Sequence, residues 1–227
     1  PCYAYELAVI LQDGLRRMYV NQENVFYYVT CMNENYVQPP MPAGVEDGIL
    51  KGLYLLQVGG KGKVRVQLMG SGTILREVIA AAEMLEADFD IPADVWSVTS
   101  FSELARDARS AERDARLHPE SKPKVAHVQH CFTDREGPFV AATDYMALIA
   151  DQIRGWVPGR YVTLGTDGYG RSDSRVALRR HFEVDRWHIA VAALKALADD
   201  GKLDVRTVTE AIKRYDVDPG APDPQYA

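Results

Sequence analysis

The stretch GTDGYGRSDSR, residues 165–175, packs three glycines, two arginines and two aspartates into eleven positions. It lies between an apolar run, YVTL, and a helix-like run, VALRRHF. Gly168 and Gly170 would let backbone approach a ligand, and Arg171 or Arg175 would hold a carboxylate or phosphate. The competing reading is structural. Asp167 and Asp173 can cap the turn and the following helix while pairing with the two arginines. The local charges then cancel, whereas a phosphate site should show a positive surplus. The structural reading is favoured, with contact to a partner subunit second.

Two other stretches carry suggestive residue types. In LMGSGTILREV, residues 68–78, a strand ends, Gly70-Ser71-Gly72 turns and a helix begins. Backbone N–H groups at such a helix start can hold an anion. However, Leu75 stands where a dinucleotide fingerprint needs its third glycine, and there is no Walker lysine. A tight turn needs glycine in any case. In HVQHC, residues 127–131, His127, His130 and Cys131 are metal-ligating types. On a strand, positions three apart face opposite sides, whereas zinc needs three or four converging ligands. Packing is therefore the favoured reading. No nucleophile elbow is present, and Ser71 and Ser172 read as turn or cap residues. His118, His181 and His188 could each titrate near neutral pH, but none has a partner legible in sequence.

The elements that must position these residues alternate. Residues 3–19 read as a helix, with Leu7, Ile10, Leu11 and Leu15 recurring at spacings of three and four. Residues 23–32, ENVFYYVTCM, read as a buried strand, and the proline-rich 33–44 as a linker. Strands are expected at 64–70, 94–100, 125–132, 138–143 and 161–167. Helices are expected at 73–87, 101–117, from about 144 to Trp156, and at 174–182, 185–200 and 205–214. This pattern implies a three-layer α/β fold around a mostly parallel sheet. The close succession of 125–132 and 138–143 suggests a hairpin, hence one antiparallel strand.

The chain has 227 residues, 47% of them hydrophobic and 26% charged, enough for a sizeable core. Its net charge of -6 gives no electrostatic footprint for nucleic acid. No apolar run is long enough to cross a bilayer. Three cysteines, Cys2, Cys31 and Cys131, form no CxxC pair and no even disulfide framework, which points to a reducing, cytoplasmic setting. The chain begins at Pro1 and enters a helical pattern almost at once, which suggests the C-terminal part of a longer polypeptide.

Taken together, YAYELAVILQDGLRRMY, ENVFYYVTCMNENYVQPPMP, VQLMGSGTILREV, SVTSFSELARD, AATDYMALIADQIR and GTDGYGRSDSR followed by LRRHFEVD resemble the C-terminal part of the homodimeric bacterial pyruvate dehydrogenase E1 family. The resemblance runs in one register from Tyr3 to about Tyr215. It implies a thiamine diphosphate-dependent, transketolase-like enzyme of three α/β domains. Residues 1–40 would be the tail of the pyrimidine-binding domain plus linker, and 41–227 the C-terminal domain. The full enzyme would decarboxylate pyruvate and acetylate the lipoyl group of its dihydrolipoyl acetyltransferase partner. Thiamine diphosphate and Mg²⁺ would be bound upstream: the nearest strings to the metal motif, EDG at 46–48 and TDG at 166–168, lack the partner asparagines. No catalytic, cofactor or metal residue carries over.

One turn does carry an implication. Where transketolases read Ser-Arg-Gln and face a sugar phosphate, this chain reads Asn33-Glu34-Asn35. The resemblance thus implies that Asn33 and Glu34 lie near the channel of a substrate without phosphate. A capped turn at a strand end would account for the same residues. Two rival functions remain: a stand-alone α/β module holding an anion or nucleotide at 70–72 or 165–175, and a docking domain for the acetyltransferase.

Overall fold

The structure, a computed structural model, describes residues 1–227. Helix α1 (Ala4–Leu15) runs into a π-helical turn over Arg16–Val20. The expected strand at 23–32 is corrected: residues 25–42 form no helix and no sheet pairing. The period-two alternation is nevertheless real. Val25, Tyr27 and Val29 turn toward the protein, while Phe26 and Tyr28 are each 86% exposed. Tyr27 lies over Gly14, where a Cβ would meet its ring at 3.3 Å, and its hydroxyl donates to Asp13. The segment therefore packs on α1 by one face while its ladder groups stay unpaired.

Helix α2 (Glu46–Lys51) ends at Gly52, whose φ of +97° disfavours any other residue, and leads into strand β1 (Leu53–Gln57). Neither element is anticipated by the sequence reading. Strand β2 (Val66–Gly70), helix α3 (Ile74–Phe89), strand β3 (Ala93–Val98) and helix α4 (Phe101–Leu117) follow as expected. Ser100 caps α4 by accepting the Glu103 N–H.

Residues 127–132 form helix α5 (His127–Phe132), not a strand. The buried residues Val128 and Phe132 lie one helical turn apart, and His130 is exposed; a strand would have put His130 on their face. Strand β4 (Phe139–Ala142), helix α6 (Ala147–Asp151), strand β5 (Tyr161–Leu164) and helices α7 (Arg175–His181), α8 (Arg186–Asp199) and α9 (Val205–Arg214) complete the chain.

The five strands lie in the order β1-β3-β2-β4-β5. All neighbours are parallel except β1, which runs antiparallel to β3. The single antiparallel strand is thus present, but it is β1 at the edge and not part of a 125–143 hairpin. Both faces are covered. Val66, Leu68 and Val95 pack with α3, α8 and α9, while Met69 and Trp96 pack with α4, α5 and α6. Strands buried on both sides read as continuous apolar runs, which is why β2 and β3 were legible in sequence.

Candidate functional site

The chain leaves β2 toward β3 on one side of the sheet and returns to place β4 on the other. The connections therefore diverge between the carboxyl ends of β2 and β4, the place where open α/β sheets form ligand crevices. Gly70 ends β2 there, and a Cβ on it would come within 2.6 Å of Leu75 Cα, so glycine is needed for α3 to pack closely. Ser71 and Thr143 share a hydrogen bond of 2.7 Å across the gap. Asp144 follows Thr143, and its pKa is raised because burial disfavours the charged form.

A cleft of about 280 Å³ opens over this point. Its walls combine Ile74, Leu178 and Phe182 with Arg171, Arg175 and Asp144. The loop 165–175 forms one rim. Its aspartates do not pair with its arginines, contrary to the sequence reading. Asp167 accepts the Ala147 N–H at 3.1 Å at the start of α6. Asp173 accepts the N–H of its neighbour Ser174, which in turn caps α7. Arg175 instead donates to Asn33 Oδ1 at 2.7 Å, and Arg171 makes no hydrogen bond or ion pair within the chain.

Asn33 and Glu34 lie at the same place. Glu34 is held by three arginines: Arg76 at 2.8 Å, Arg175 at 3.7 Å and Arg179 in a hydrogen-bonded pair. Burial pushes its carboxyl up, but the Arg179 hydrogen bond and the charges of Arg179, Arg76 and Arg175 outweigh this and hold it below its ordinary range. Arg179 also donates to Glu77, which takes two further bonds from the Arg186 guanidinium at 2.8 and 3.1 Å. The stretches 165–175 and 68–78, read from sequence as structural turns, and the Asn33–Glu34 turn that the resemblance singled out thus meet at one cleft.

Sequence reasoning missed Arg179, Arg76 and Glu77. Glu77 was detectable, because it interrupts the apolar face of α3 between Ile74, Val78 and Ala81 and is only 6% exposed. It also missed Glu6. This carboxylate is wholly buried and accepts the backbone N–H groups of Cys2 and Tyr3 and the hydroxyls of Tyr54 and Ser97. It ties the start of the chain, and with it the Asn33–Glu34 turn, to the sheet. Burial pushes the adjacent Cys2 thiol up to about 12, so it stays protonated at neutral pH.

The remaining candidates do not converge. His127 and Cys131 lie one turn apart on α5, where His127 Nε2 also approaches the Leu53 carbonyl at 2.8 Å; His130 points away to solvent. Asp47, of the EDG string, pairs with Lys51 at 2.7 Å. No three His, Cys, Asp or Glu side chains converge on a point that could hold a metal ion. No helix is long and apolar enough to cross a membrane.

Comparison with known proteins gives two family matches. The transketolase-like TK C-terminal domain matches residues 52–185, and the pyruvate dehydrogenase E1 component middle domain matches residues 1–39. Pyruvate dehydrogenase E1 components of Pseudomonas aeruginosa, Cupriavidus necator and Escherichia coli K12 are 57%, 54% and 52% identical to the chain. The alignments take in 99%, 99% and 100% of this chain but only 26%, 25% and 26% of those proteins, so the chain spans about a quarter of their length. Among solved structures, a Pichia stipitis transketolase in complex with sedoheptulose 7-phosphate aligns at TM-score 0.47 and 18% identity, over 74% of this chain and 21% of that one.

Proposed function

From the premise that the chain belongs to the transketolase-like C-terminal domain family, we propose that it is the C-terminal portion of a pyruvate dehydrogenase E1 component. The whole enzyme would decarboxylate pyruvate with thiamine diphosphate and Mg²⁺ and acetylate the lipoyl group of a dihydrolipoyl acetyltransferase. The identity to E1 components along the full chain carries this reading. The division proposed is the tail of the pyrimidine-binding domain plus linker over 1–40, and the C-terminal domain over 41–227. The setting proposed is a cytoplasmic homodimer.

The residues of this chain do not fit the diphosphate and metal. Asp47 and Asp167 are engaged by Lys51 and the Ala147 N–H, and no acid cluster accompanies either. This portion supplies architecture. The alternating segment around Phe26, Tyr28 and Val37, each at least 86% exposed, leaves its backbone groups unpaired and an apolar face uncovered. The sheet of the middle domain and the second subunit are the proposed covers.

Asn33 and Glu34 are proposed to border the substrate channel, with Glu34 fixing the turn through its arginines. The test is Glu34→Gln in the native enzyme. Removing the charge while keeping the shape should raise the pyruvate KM about fivefold, roughly 1 kcal/mol, with kcat little changed. An unchanged KM together with unchanged acetyl transfer would remove these residues from the channel. The wider reading fails if the native protein carrying this chain shows no thiamine diphosphate-dependent release of CO₂ from pyruvate.

A further inference from the structure

The cleft at the switch point has a chemistry that architecture alone does not require. Its floor is apolar, from Ile74, Leu178 and Phe182. Three of its lining residues are arginines and one, Asp144, is an acid. Arg179 is satisfied by Glu34 and Glu77. Arg175 spends one nitrogen on Asn33 and stands 3.7 Å from Glu34. Arg171 spends none. The two acids of its own loop accept backbone N–H groups and form no ion pair with it. Among the residues lining the cleft, three arginines stand against the single acid Asp144, a positive surplus that the linear stretch lacked.

An adjoining pocket shares Arg171 and Leu178 with the cleft and is also lined by Ser172, Asp173 and His181. The Nε2 of His181 is buried and has no partner in the chain. A guanidinium without a partner and a second guanidinium thus line one cleft together with Ile74, Leu178 and Phe182, and His181 lines only the pocket next to it. Guanidinium groups bind phosphate oxygens in pairs, and two of them balance a dianion better than a monoanion.

We propose that this cleft is a binding site for a small organic phosphate monoester, with the dianionic head on Arg171 and Arg175 and an apolar body of about one ring on Ile74, Leu178 and Phe182. Asp144 is the one acid lining the cleft, and burial raises its pKa. Because Arg175 also holds Asn33, the bound head shares a guanidinium with the turn at Asn33–Glu34. The site stands on the cleft geometry and does not depend on the enzyme assignment.

The test is calorimetry on the intact native protein, saturated with thiamine diphosphate so that any cofactor site is filled. Phenyl phosphate, benzoate and inorganic phosphate are the probes. Phenyl phosphate should bind, with inorganic phosphate and benzoate each at least tenfold weaker. Arg171→Ala should weaken phenyl phosphate at least tenfold and leave the melting temperature unchanged, since Arg171 has no partner to lose. Arg214→Ala, in which the altered residue pairs with Asp88 away from the cleft, should bind as the wild type does. Phenyl phosphate affinity within twofold of wild type in Arg171→Ala, absence of phenyl phosphate binding, or benzoate binding as tightly as phenyl phosphate would each overturn the proposal. If carbon dioxide release is absent but the Arg171-dependent binding persists, the enzyme reading falls and the site stands.

Discussion

Replacing Glu6 with alanine should release the start of the chain from the sheet. The Glu6 carboxylate is wholly buried and accepts four donors: the N–H groups of Cys2 and Tyr3 at 2.5 and 3.1 Å, Tyr54 Oη at 2.7 Å and Ser97 Oγ at 2.5 Å. Tyr54 retains its bond to Tyr5, so part of the set can re-pair. Counting about 1 kcal/mol for each net bond lost, and about 1–3 kcal/mol for a donor left buried without an acceptor, the cost is about 3–5 kcal/mol. The effect should reach beyond α1. Tyr36 donates to the Cys2 carbonyl and Gln38 accepts the Ala4 N–H, so the turn at Asn33–Glu34 hangs on the same anchor. Amide hydrogen exchange followed by mass spectrometry on the peptide spanning residues 1–15 reads this opening. Protection should fall about a hundredfold or more in Glu6→Ala, each tenfold corresponding to about 1.4 kcal/mol. Glu6→Gln, which keeps one acceptor, should fall less. Protection in Glu6→Ala within about threefold of wild type would refute the anchoring argument.

The Glu34 network should weaken in acid. Its carboxyl is held below the ordinary value of 4.5, so its stabilising contribution is complete above that pH and is lost as pH falls through the lowered folded value. Melting temperatures of wild type and Glu34→Gln should therefore differ at pH 6 and converge toward pH 3; a constant difference down to pH 3 would contradict this. Gly168 has φ +101°, and a Cβ there would lie 2.0 Å from the Pro224 carbonyl oxygen. Gly168→Ala should cost about 1–2 kcal/mol for the positive φ alone and push residues 224–226 off the loop. Limited proteolysis should then cut the C-terminal segment faster, and an unchanged cleavage rate would show that the contact does not hold it.

The fold was legible where one physical signal dominated. β2 and β3 are buried on both faces, so their apolar runs stood out, and α3 carried a clear helical stripe. The reading failed where the signal was short or shared. In residues 125–132, Val128 and Phe132 fit both periods, and only the exposure of His130 separates helix from strand. β1 is an edge strand buried at Leu53 and Tyr54 and more exposed toward Gln57, so no period-two alternation marks it. Residues 23–32 have the composition and alternation of a strand, but a strand needs a neighbour, and none lies beside it here.

The sequence by itself determined the alternation of strands and helices and the glycine turn after β2, because these depend on residues within a few positions of one another. Only the tertiary structure decided the charge balance of the cleft. Glu34 meets Arg76, Arg175 and Arg179 across separations of 42 to 145 residues, while Asp167 and Asp173 are taken by nearby backbone N–H groups. Coulombic and hydrogen-bond energies depend on distance in space, so counting charges along the chain paired the arginines of residues 165–175 with the wrong acids and concealed that Arg171 has none.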